Sequence, residues 1–310
     1  MNFSYSSSTR ISRKCPVCDS DSTNSRFFAE ENIDQQKISG LSFASRKPPE
    51  LMSHRLVCCK VCELVYAPNP PSVEELANAY HSADYDSSEE AIDAANSYLK
   101  ASRLIIEKLP KLDCALEIGT GSGIFLEFLE NAGFKRLVGV EPSKSAIDVA
   151  SPGTRAWIQH GIFEEKNFQP ESFDFICCFM TLEHVQDPMA LSKSVLRLLK
   201  PGGAFVTVTH DYKSLVNRLL GMRSPIIDIE HLQLFTRKSI QEMFVRAGYI
   251  DVSTRSFANN YSLKYWTRLS PLPKLVRNFS DQLLKISGLE KIHLSVNVGN
   301  QFSVGFKNKF

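Results

Sequence analysis

The chain has 310 residues, 43% of them hydrophobic and 23% charged, so it is long enough to bury a sizeable core as one large or two modest domains. Its formal net charge is only +2 at pH 7, which excludes a strong overall field that would recruit nucleic acid or anionic lipid. No run reaches the roughly 18 apolar residues of a membrane span, and the Ser-rich residues 1–14 lack the apolar region of a secretory signal. Eight cysteines without an export signal favour reduced thiols and a cytoplasmic location.

Two Cys-x-x-Cys motifs lie near the start of the chain. This spacing lets both thiolates of one motif reach a single ion, and two motifs complete a tetrahedral Zn²⁺ site. A site with four cysteines leaves no position for water, so we expect its metal to be structural. The ligands are then Cys15, Cys18, Cys59 and Cys62. Four buried thiols without a metal are the alternative. The pattern predicts a zinc-ribbon-like module over residues 1–71, which ends in a Pro-rich break.

Helical signals follow this break. Ser72 is a suitable N-cap, and Glu75 stands at the third helical position, where it completes a capping box. The stretch Tyr80–Asp86 is predicted to be irregular. Asn96–Leu109 has the spacing of an amphipathic helix, and Pro110 ends it.

The most informative stretch is a short apolar strand, Cys114–Ile118, that runs into a glycine loop and then directly into a helix, Ile124–Ala132. The loop holds three alternating glycines: Gly119, Gly121 and Gly123. Glycine allows positive φ and a close approach of the backbone to a ligand, and helix N–H groups then point at that ligand. The next strand, Leu137–Val140, is followed by Glu141, at the position where a carboxylate accepts hydrogen bonds from a ribose diol.

The loop differs from the dinucleotide fingerprint G-x-G-x-x-G, because here the pattern is G-x-G-x-G, preceded by Glu117. Together with Glu141 it resembles the nucleoside-binding site of class I S-adenosylmethionine (SAM) methyltransferases. The resemblance implies that the glycine loop packs against the methionine end of SAM and that Glu141 binds the ribose hydroxyls. A Rossmann-like NAD enzyme, or a sheet without a ligand, is the alternative.

Two later segments extend the resemblance. A third strand is predicted over Ala156–Phe163, and a fourth over Ser172–Phe179 is continuously apolar, as is typical of a central parallel strand covered on both faces. Residues 182–188, L-E-H-V-Q-D-P, are similar to the L-E-H-V-x-D-P segment of small-molecule methyltransferases. The L-K-P-G-G turn at residues 199–203, before a fifth strand at Ala204–Thr209, is a second family hallmark.

These hallmarks imply a Rossmann-like α/β sheet of seven strands, the last of which is antiparallel. The resemblance also implies a set of contacts with SAM: Glu117, Gly119, Thr120, Gly121, Gly123, Glu141, Pro142, Gly161, Ile162, Phe179 and Met180. Many members of the family carry an acidic residue after the glycine at 161, where it binds the adenine amino group. Ile162 stands there instead, so adenine must use backbone groups or a nearby acid such as Glu164.

Three histidines, His184, His210 and His231, lie at predicted strand ends or active-site loops. A hydroxyl or an acidic C–H must lose a proton as it attacks a methyl group, and histidine is the natural base near neutral pH. Residues 229–236 resemble the E-H-x-x-x-F-[ST] segment of many small-molecule methyltransferases. Some deoxysugar C-methyltransferases with a zinc module use such a Glu-His pair in proton removal. We therefore favour His231 as the base, with Glu230 orienting its ring, ahead of His184 and then His210.

The last part of the chain contains an insertion at residues 258–300, between a sixth strand at Ile250–Phe257 and a last strand at Gln301–Lys307. The insertion combines basic residues with tyrosine and tryptophan. Such a cap could grip a phosphorylated or nucleotide-linked substrate, or make a peripheral contact with a membrane. A solvated hairpin that covers the sheet edge or forms a dimer contact is the alternative.

The sequence thus predicts a SAM-dependent methyltransferase domain over residues 72–310, behind the zinc module. We expect it to methylate oxygen or carbon of a small molecule, with a sugar-nucleotide or glycan precursor as the first acceptor class and a phenol, quinone or polyketide-like acceptor as the second. The alternatives are an RNA methyltransferase that uses the zinc module as an RNA grip and a SAM-binding, non-catalytic partner protein. The near-neutral charge argues against nucleic acid. The sequence does not define the oligomeric state.

Overall fold

The computed structural model describes residues 12–39, 42–44, 50–84, 89–269 and 274–309. The first part of the chain forms three short strands and two helices. They are β1 (Ser25–Ala29), β2 (Leu56–Cys59), β3 (Val65–Tyr66), α1 (Val73–His81) and α2 (Glu89–Ile106). The predicted capping box is present at α1, where Ser72 and Glu75 each bond the other's backbone N–H.

Two helix boundaries differ from the sequence prediction. Helix α1 continues through Tyr80, so the predicted irregular stretch begins later, and its residues 85 and 86 lie outside the described part of the chain. Helix α2 begins at Glu89 rather than Asn96. Its first turns contain Glu90 and Asp93, and acidic residues are favourable near a helix N-terminus even though they blur the apolar pattern.

The middle of the chain alternates strands and helices. In order they are β4 (Cys114–Ile118), α3 (Ile124–Asn131), β5 (Arg136–Glu141), α4 (Lys144–Asp148), α5 (Pro152–Arg155), β6 (Ile158–His160), β7 (Phe173–Phe179), α6 (Pro188–Leu198) and β8 (Leu199–His210). The remaining elements are α7 (Leu215–Leu220), β9 (Gln233–Leu234), α8 (Arg237–Ala247), β10 (Ile250–Ser262), α9 (Leu263–Leu269), α10 (Lys274–Ser287) and β11 (His293–Phe306).

The large sheet has seven strands in the order β10-β11-β8-β7-β4-β5-β6. Strands β8, β7, β4, β5 and β6 pair in parallel, whereas β11 is antiparallel to both β8 and β10, which confirms the predicted architecture. Strands β4 and β7 are buried along their whole length. The strand order reverses between β4 and β7, and open α/β sheets bind ligands outside the carboxyl ends of the strands at such a point.

The predicted L-K-P-G-G turn lies inside β8 instead of before it. Leu199 pairs with Phe173 and Ala204 pairs with Phe175, with an irregular register between the two pairs. Gly202 has φ +79° in this stretch, so the strand accommodates the turn residues as a local bulge.

The small sheet joins distant parts of the chain, because its order is β1-β2-β3-β9. Val65 of β3 pairs with Leu234 of β9, and Tyr66 packs in one hydrophobic core with Phe235 and Phe244. The Cys-rich segment and the segment that precedes α8 therefore share both a sheet and a core. The domain boundary at residue 71 stays a prediction.

Strands β10 and β11 reach further than expected. They pair as far as Ser262 and His293, so both ends of the predicted insertion at 258–300 are strand, and α9 and α10 lie at the tip. The extension contacts α2, because the Asn260 N–H donates to Ser97 Oγ at 3.2 Å, and just before it the Tyr98 ring stacks on Phe257 with centroids 5.6 Å apart. Within the described residues, no helix has the length and apolar character that crossing a bilayer requires.

Candidate functional site

The glycine loop connects β4 to α3, and its three glycines serve different purposes. Gly119, Gly121 and Gly123 all have positive φ, at 77°, 58° and 75°. A Cβ on Gly119 would lie 2.3 Å from Thr181 Oγ1, so this glycine permits close packing against the end of β7. A Cβ on Gly123 would lie 2.5 Å from Thr154 Cγ2. A Cβ on Gly121 would meet no atom within 4 Å, so among these three glycines this is the position at which a side chain would enter open space.

Glu141 is the last residue of β5 and is held by backbone donors. Its Oε2 accepts the Gly121 N–H at 2.7 Å, and its Oε1 accepts the Ser143 N–H at 2.8 Å. Burial raises the pKa of Glu141, whereas these two N–H groups act to lower it. The carboxylate is thus fixed beside the glycine loop, as a ribose-binding group requires.

Glu117 and Met180 mark the ends of the two central strands. The Thr120 hydroxyl donates to Glu117 Oε2 at 2.5 Å, which ties the loop to the end of β4. Met180 follows β7 directly and has φ +51°, which is uncommon for a residue other than glycine. Backbone strain of this kind is characteristic of functional sites.

The loop and the strand ends border a cavity of about 480 Å³. The predicted SAM contacts that line it are Glu117, Gly119, Thr120, Gly121, Glu141, Pro142, Gly161, Ile162, Phe179 and Met180. Gly123 is not part of the described lining, because it packs against α5 and β6. Glu164 is not part of it either, whereas the next residue, Glu165, is.

The charged residues of the described part of the cavity wall are all acidic. They are Asp84, Glu117, Glu141, Glu165, Asp187 and Glu230. The described lining contains neither lysine nor arginine. The cavity therefore attracts a cation and opposes a phosphate group.

His184 also lines this cavity, on the loop that follows β7. Its Nδ1 lies 2.7 Å from the Tyr80 hydroxyl and 3.3 Å from Glu230 Oε2. Burial acts to lower the pKa of His184, but the hydrogen bond and charge of Glu230, together with the charges of Glu183 and Asp228, outweigh it, so the pKa is raised above the ordinary value. Both contacts use Nδ1, so they define which ring nitrogen is held and how the imidazole is oriented.

The pairing expected from sequence, with Glu230 orienting His231, needs correction. Glu230 approaches His184, whereas His231 Nδ1 lies 2.8 Å from the Ile226 carbonyl oxygen. The Glu230 N–H donates to the Asp228 side chain at 3.2 Å, which forms a local turn between these two residues. Among the described residues that line the cavity, His184 is the only histidine.

His231 and His210 form a layer behind His184. The His231 ring lies 5.0 Å from the His184 ring and 5.3 Å from the His210 ring, measured between centroids. Burial, and then the neighbouring histidines, lower the pKa of His210 to about 3, so this ring is neutral at physiological pH. Burial raises the pKa of Glu183 to about 7, although its Oε1 accepts the backbone N–H of His210 at 2.6 Å.

The sequence indicates neither the contact of Tyr80 with His184 nor the place of Tyr98 in the cavity wall. Tyr80, on α1, contacts His184 through its hydroxyl, and its ring packs edge-to-face on Phe43 with centroids 5.4 Å apart. Tyr98, on α2, lines the same cavity and stacks on Phe179 at 4.3 Å. The predicted helix at Asn96–Leu109 could have indicated Tyr98, whereas nothing local to Phe43 signals that it reaches this site.

The four predicted metal ligands are brought together. The Sγ atoms of Cys15, Cys18, Cys59 and Cys62 all lie within 4.8 Å of one another. The Cys15–Cys62 and Cys18–Cys59 sulfur distances are 3.4 Å and 3.5 Å. A tetrahedral Zn²⁺ with bonds of about 2.3 Å would place sulfur atoms about 3.8 Å apart, so the cluster fits such an ion.

Comparison with known proteins gives a family match over residues 88–254, to a model described as a methyltransferase domain. The ubiquinone biosynthesis O-methyltransferase of Vibrio cholerae is 31% identical over 114 residues, which cover 34% of this chain and 46% of that protein. The protein with the same description from Methylococcus capsulatus is 32% identical over 151 residues, which cover 45% of this chain and 63% of that protein. The chain thus spans about half the length of these relatives.

Solved structures also resemble this chain. One, described as a SAM-dependent methyltransferase and possible histamine N-methyltransferase from Thermotoga maritima, has a TM-score of 0.47 and 21% identity, covering 71% of this chain and 91% of that chain. Another is phosphoethanolamine N-methyltransferase 2 of Haemonchus contortus in complex with SAM. It has a TM-score of 0.44 and 18% identity, covering 70% of this chain and 56% of that chain.

Proposed function

This chain belongs to the class I SAM-dependent methyltransferases, because the methyltransferase model matches residues 88–254 of 310, and from that premise we propose that it methylates an oxygen of an apolar, unphosphorylated small molecule. One observation carries the proposal. The cavity that holds the glycine loop and Glu141 is also lined by His184, whose Nδ1 is held by Glu230 and Tyr80. A nucleoside-binding group and a proton acceptor therefore border the same space.

The cofactor proposal rests on the fit of the cavity to SAM. Gly121 leaves room for a close approach, Glu141 offers its carboxylate to a ribose, and the acidic wall suits a sulfonium cation. When bound, SAM supplies an activated methyl group. Positioning of the reactants alone can lower the reaction barrier by about 7–11 kcal/mol. A preformed cavity can therefore account for much of the rate enhancement of such an enzyme.

His184 is the proposed general base, in place of the His231 favoured by sequence. With Nδ1 held by Glu230 and Tyr80, the ring accepts the acceptor's proton at Nε2. The Glu230 carboxylate then stabilises the imidazolium that results. His231 packs against the His184 ring and supports its position.

The lining of the cavity favours one acceptor class over another. Phe43, Leu76 and Tyr80 present an apolar, aromatic wall near His184, and the charged lining residues are all acidic. A sugar-nucleotide would bring a diphosphate into this acidic space without a lysine or arginine among the described lining residues. We therefore place phenol-like or quinol-like acceptors first, in line with the O-methyltransferase relatives.

The same charge argument weakens the RNA alternative, because nucleic-acid binding depends on neutralising phosphates with lysine and arginine. For the Cys-rich segment we propose a structural Zn²⁺ held by Cys15, Cys18, Cys59 and Cys62. Four thiolates leave no coordination position for a substrate, so such an ion would stabilise the fold and take no part in the reaction.

The test has two stages. Calorimetry with S-adenosylhomocysteine first establishes cofactor binding, with NAD as the control ligand. Methyl transfer from labelled SAM is then measured across a panel that contains a catechol, a hydroquinone, an amine, a nucleotide sugar and RNA. Turnover confined to the phenolic compounds is the expected result. Cofactor binding without turnover on any of them favours the non-catalytic alternative, and preferred turnover of the nucleotide sugar or RNA refutes the acceptor class.

A further inference from the structure

The tip of the β10–β11 hairpin exposes an apolar surface that the methyl-transfer proposal does not use. Helix α10 carries Val276, Phe279, Leu283 and Ile286 at helical spacing, and all four are exposed. Phe279 is 66% exposed and Ile286 is 87% exposed. The apolar surface continues with Leu289, Ile292, Leu294 and Val296, which are also exposed. We call this set of residues the cap face.

Helix α10 is amphipathic in the opposite sense to an ordinary surface helix. Its half-buried positions include Arg277, Ser280 and Asp281, and Asp281 Oδ1 accepts the Thr267 hydroxyl at 2.8 Å. The polar side of the helix therefore faces α9, while the apolar side is directed outward. A helix that leaves its apolar stripe outside gains no burial energy from it in this chain alone, so the stripe indicates a partner.

The charge of the cap selects the kind of partner. Residues 258–300 hold six basic and two acidic residues, an excess of four positive charges, whereas the whole chain has a net charge of +2. The remainder of the chain is therefore net negative, and the basic excess is confined to the cap. Lys285 and Lys291 are exposed next to the apolar stripe. Two cap faces brought together in a symmetric dimer would oppose like charges, whereas an anionic lipid surface would neutralise them.

The cap is attached to a wall of the cavity. Arg268 Nη1 lies 3.5 Å from Glu90 Oε1, and His293 Nε2 lies 3.0 Å from Asp93 Oδ1. Glu90 and Asp93 are both on α2. The opposite face of α2 contributes Ala91, Ala95 and Tyr98 to the cavity lining. One helix thus separates the cap from the site in which the acceptor is proposed to bind.

We propose that the cap face docks on an anionic membrane surface, with the α10 stripe inserted at the headgroup level, so that the enzyme takes an apolar acceptor from the bilayer. This inference rests on the proposed apolar acceptor for its purpose, but the binding itself is independent of catalysis. An amphipathic helix with a cationic rim and bulky apolar residues is the form that binds in the interface plane.

The experiment measures cosedimentation of the full chain with vesicles of phosphatidylcholine alone or with phosphatidylglycerol, in the absence of SAM and acceptor. We expect binding only to the anionic vesicles, weakened in high salt. The variant F279E/I286E should bind at least ~10-fold more weakly, since each substitution places a charge where a large apolar side chain would otherwise be buried at the headgroup level. K285Q/K291Q should lose binding to a lesser degree. The matched control is L219E on α7, whose side chain is 78% exposed, and it should bind as the parent does.

Three results would overturn this proposal. They are absence of vesicle binding by the parent chain, equal binding by F279E/I286E and L219E, and a stable dimer that F279E/I286E converts to a monomer without any vesicle binding. Circular dichroism establishes that each variant is folded. Because the readout needs no methyl transfer, the failure of the acceptor proposal and the failure of the docking proposal are distinguishable.

A different observation concerns Arg13, two residues before the first metal-ligand cysteine. Its Nε donates to the Ala67 carbonyl at 2.9 Å, and its Nη2 donates to the Leu232 carbonyl at 3.0 Å and to Gln233 Oε1 at 3.2 Å. Its Nη1 donates to the Gln186 carbonyl. One guanidinium therefore bridges the Cys-rich segment, the loop that carries His184 and the segment that carries Glu230.

We infer that Arg13 is a positioning residue, which holds the His184 and Glu230 loops in register with each other. The planar fork of the guanidinium matches four acceptors from three segments, and a lysine ammonium cannot reproduce that arrangement. The Cys-rich segment thereby acts on the site through Arg13, in addition to the Phe43 ring that lines the cavity. This positioning role adds no chemical step to the reaction.

The test compares R13A and R13K with R26A, which removes an exposed arginine of β1 in the same module. R13A should lower kcat at least ~10-fold while S-adenosylhomocysteine affinity stays within about twofold, because the glycine loop and Glu141 do not contact Arg13. Added guanidinium ion should partly restore kcat to R13A, and R13K should recover little. If R13A lowers only the melting temperature and leaves kcat and its pH profile unchanged, the residue is merely structural and the inference fails.

Discussion

Two groups of residues border the cavity and differ in how they are assembled. The nucleoside group consists of Gly119, Gly121 and Glu141, and it comes from one β-α-β unit of the parallel sheet. The histidine group consists of Tyr80, His184 and Glu230, and each member comes from a separate part of the chain. The first group depends on the sheet alone, whereas the second depends on how the Cys-rich segment and α1 pack on the sheet. Damage to that packing should therefore affect proton removal before cofactor binding.

The largest expected effect tests this dependence through the metal site. Cys59→Ser should abolish binding of the proposed zinc, which can contribute on the order of 10 kcal/mol to folding. Because β3 pairs with β9 just after Glu230, the loss should disorder the histidine group. Metal analysis, a thermal melt and S-adenosylhomocysteine calorimetry on the folded fraction check the order of the losses. Cys177→Ser, at a buried core cysteine outside the cluster, is the control for loss of a thiol.

A metal-free protein with an unchanged melting temperature and full turnover would contradict both the site and its coupling to the histidine group. Equal loss of cofactor affinity and turnover in Cys59→Ser would contradict the coupling alone, since it would mean that both groups depend on the module.

The second prediction separates the two groups directly. His184→Ala should lower kcat by about 10²–10⁴, the usual contribution of a general base, and leave S-adenosylhomocysteine affinity nearly unchanged. His231→Ala should cost less, because His231 does not belong to the described lining and acts through the His184 ring. The rates of both variants are measured with one acceptor at saturating SAM. The reverse order of effects would restore His231 as the base.

The third prediction concerns cofactor affinity, where the second concerned turnover. Glu141→Ala should weaken S-adenosylhomocysteine binding about 10–100-fold, since hydrogen bonds to a charged group are worth about 1.5–3 kcal/mol. Once SAM is saturating, kcat should change much less. Glu164→Ala, a neighbouring acid outside the described lining, is the matched control for calorimetry. Unchanged affinity in Glu141→Ala would remove the ribose assignment.

The same contrast explains what the sequence could predict. Glycine spacing and the acid at the end of β5 act within one local unit, so the pattern indicated both the loop and Glu141. The family resemblance also indicated seven strands with the last one antiparallel, and the Cys-x-x-Cys spacing indicated the four clustered cysteines, since it sets half of their geometry in advance. Gly123 lies outside the described lining of the cavity, and the Thr154 side chain that it packs against comes from a later helix.

The partner of Glu230 could not be obtained from the sequence. Because Glu230 and His231 are adjacent in sequence, the pattern predicted that they act as a pair. In the structure the Glu230 N–H bonds Asp228, and Glu230 Oε2 lies beside His184, which is on a different loop. Tyr80 reaches the same nitrogen only because α1 packs over the cavity. The predicted end of the sixth strand is too early for a related reason, because β10 continues past Phe257, where the Asn260 N–H bonds Ser97 of α2. Such contacts join residues far apart in the chain, so no local pattern encodes them.

The smallest effect is a shift in pH dependence, and it tests whether the histidine group works as a pair. A general base must be deprotonated, so kcat should rise with pH through the pKa of His184. Glu230 raises that pKa against the opposing effect of burial, which places the acidic limb of the profile above the ordinary histidine value of about 6.5. Glu230→Gln removes the negative charge and keeps the shape of the side chain. The limb should therefore move to lower pH, with a modest fall in the plateau because the imidazolium loses its counter-charge.

Glu183 is the competing origin of such a limb, since its pKa lies at about 7 and its charge also acts on His184. The discriminating measurement is the profile of Glu183→Gln beside that of Glu230→Gln. If Glu183 titration controls the rate, its variant loses the limb and Glu230→Gln keeps it. If the His184–Glu230 pair controls the rate, Glu230→Gln shifts the limb by more than Glu183→Gln does, because Glu230 alone of the two acids shares a hydrogen bond with the ring.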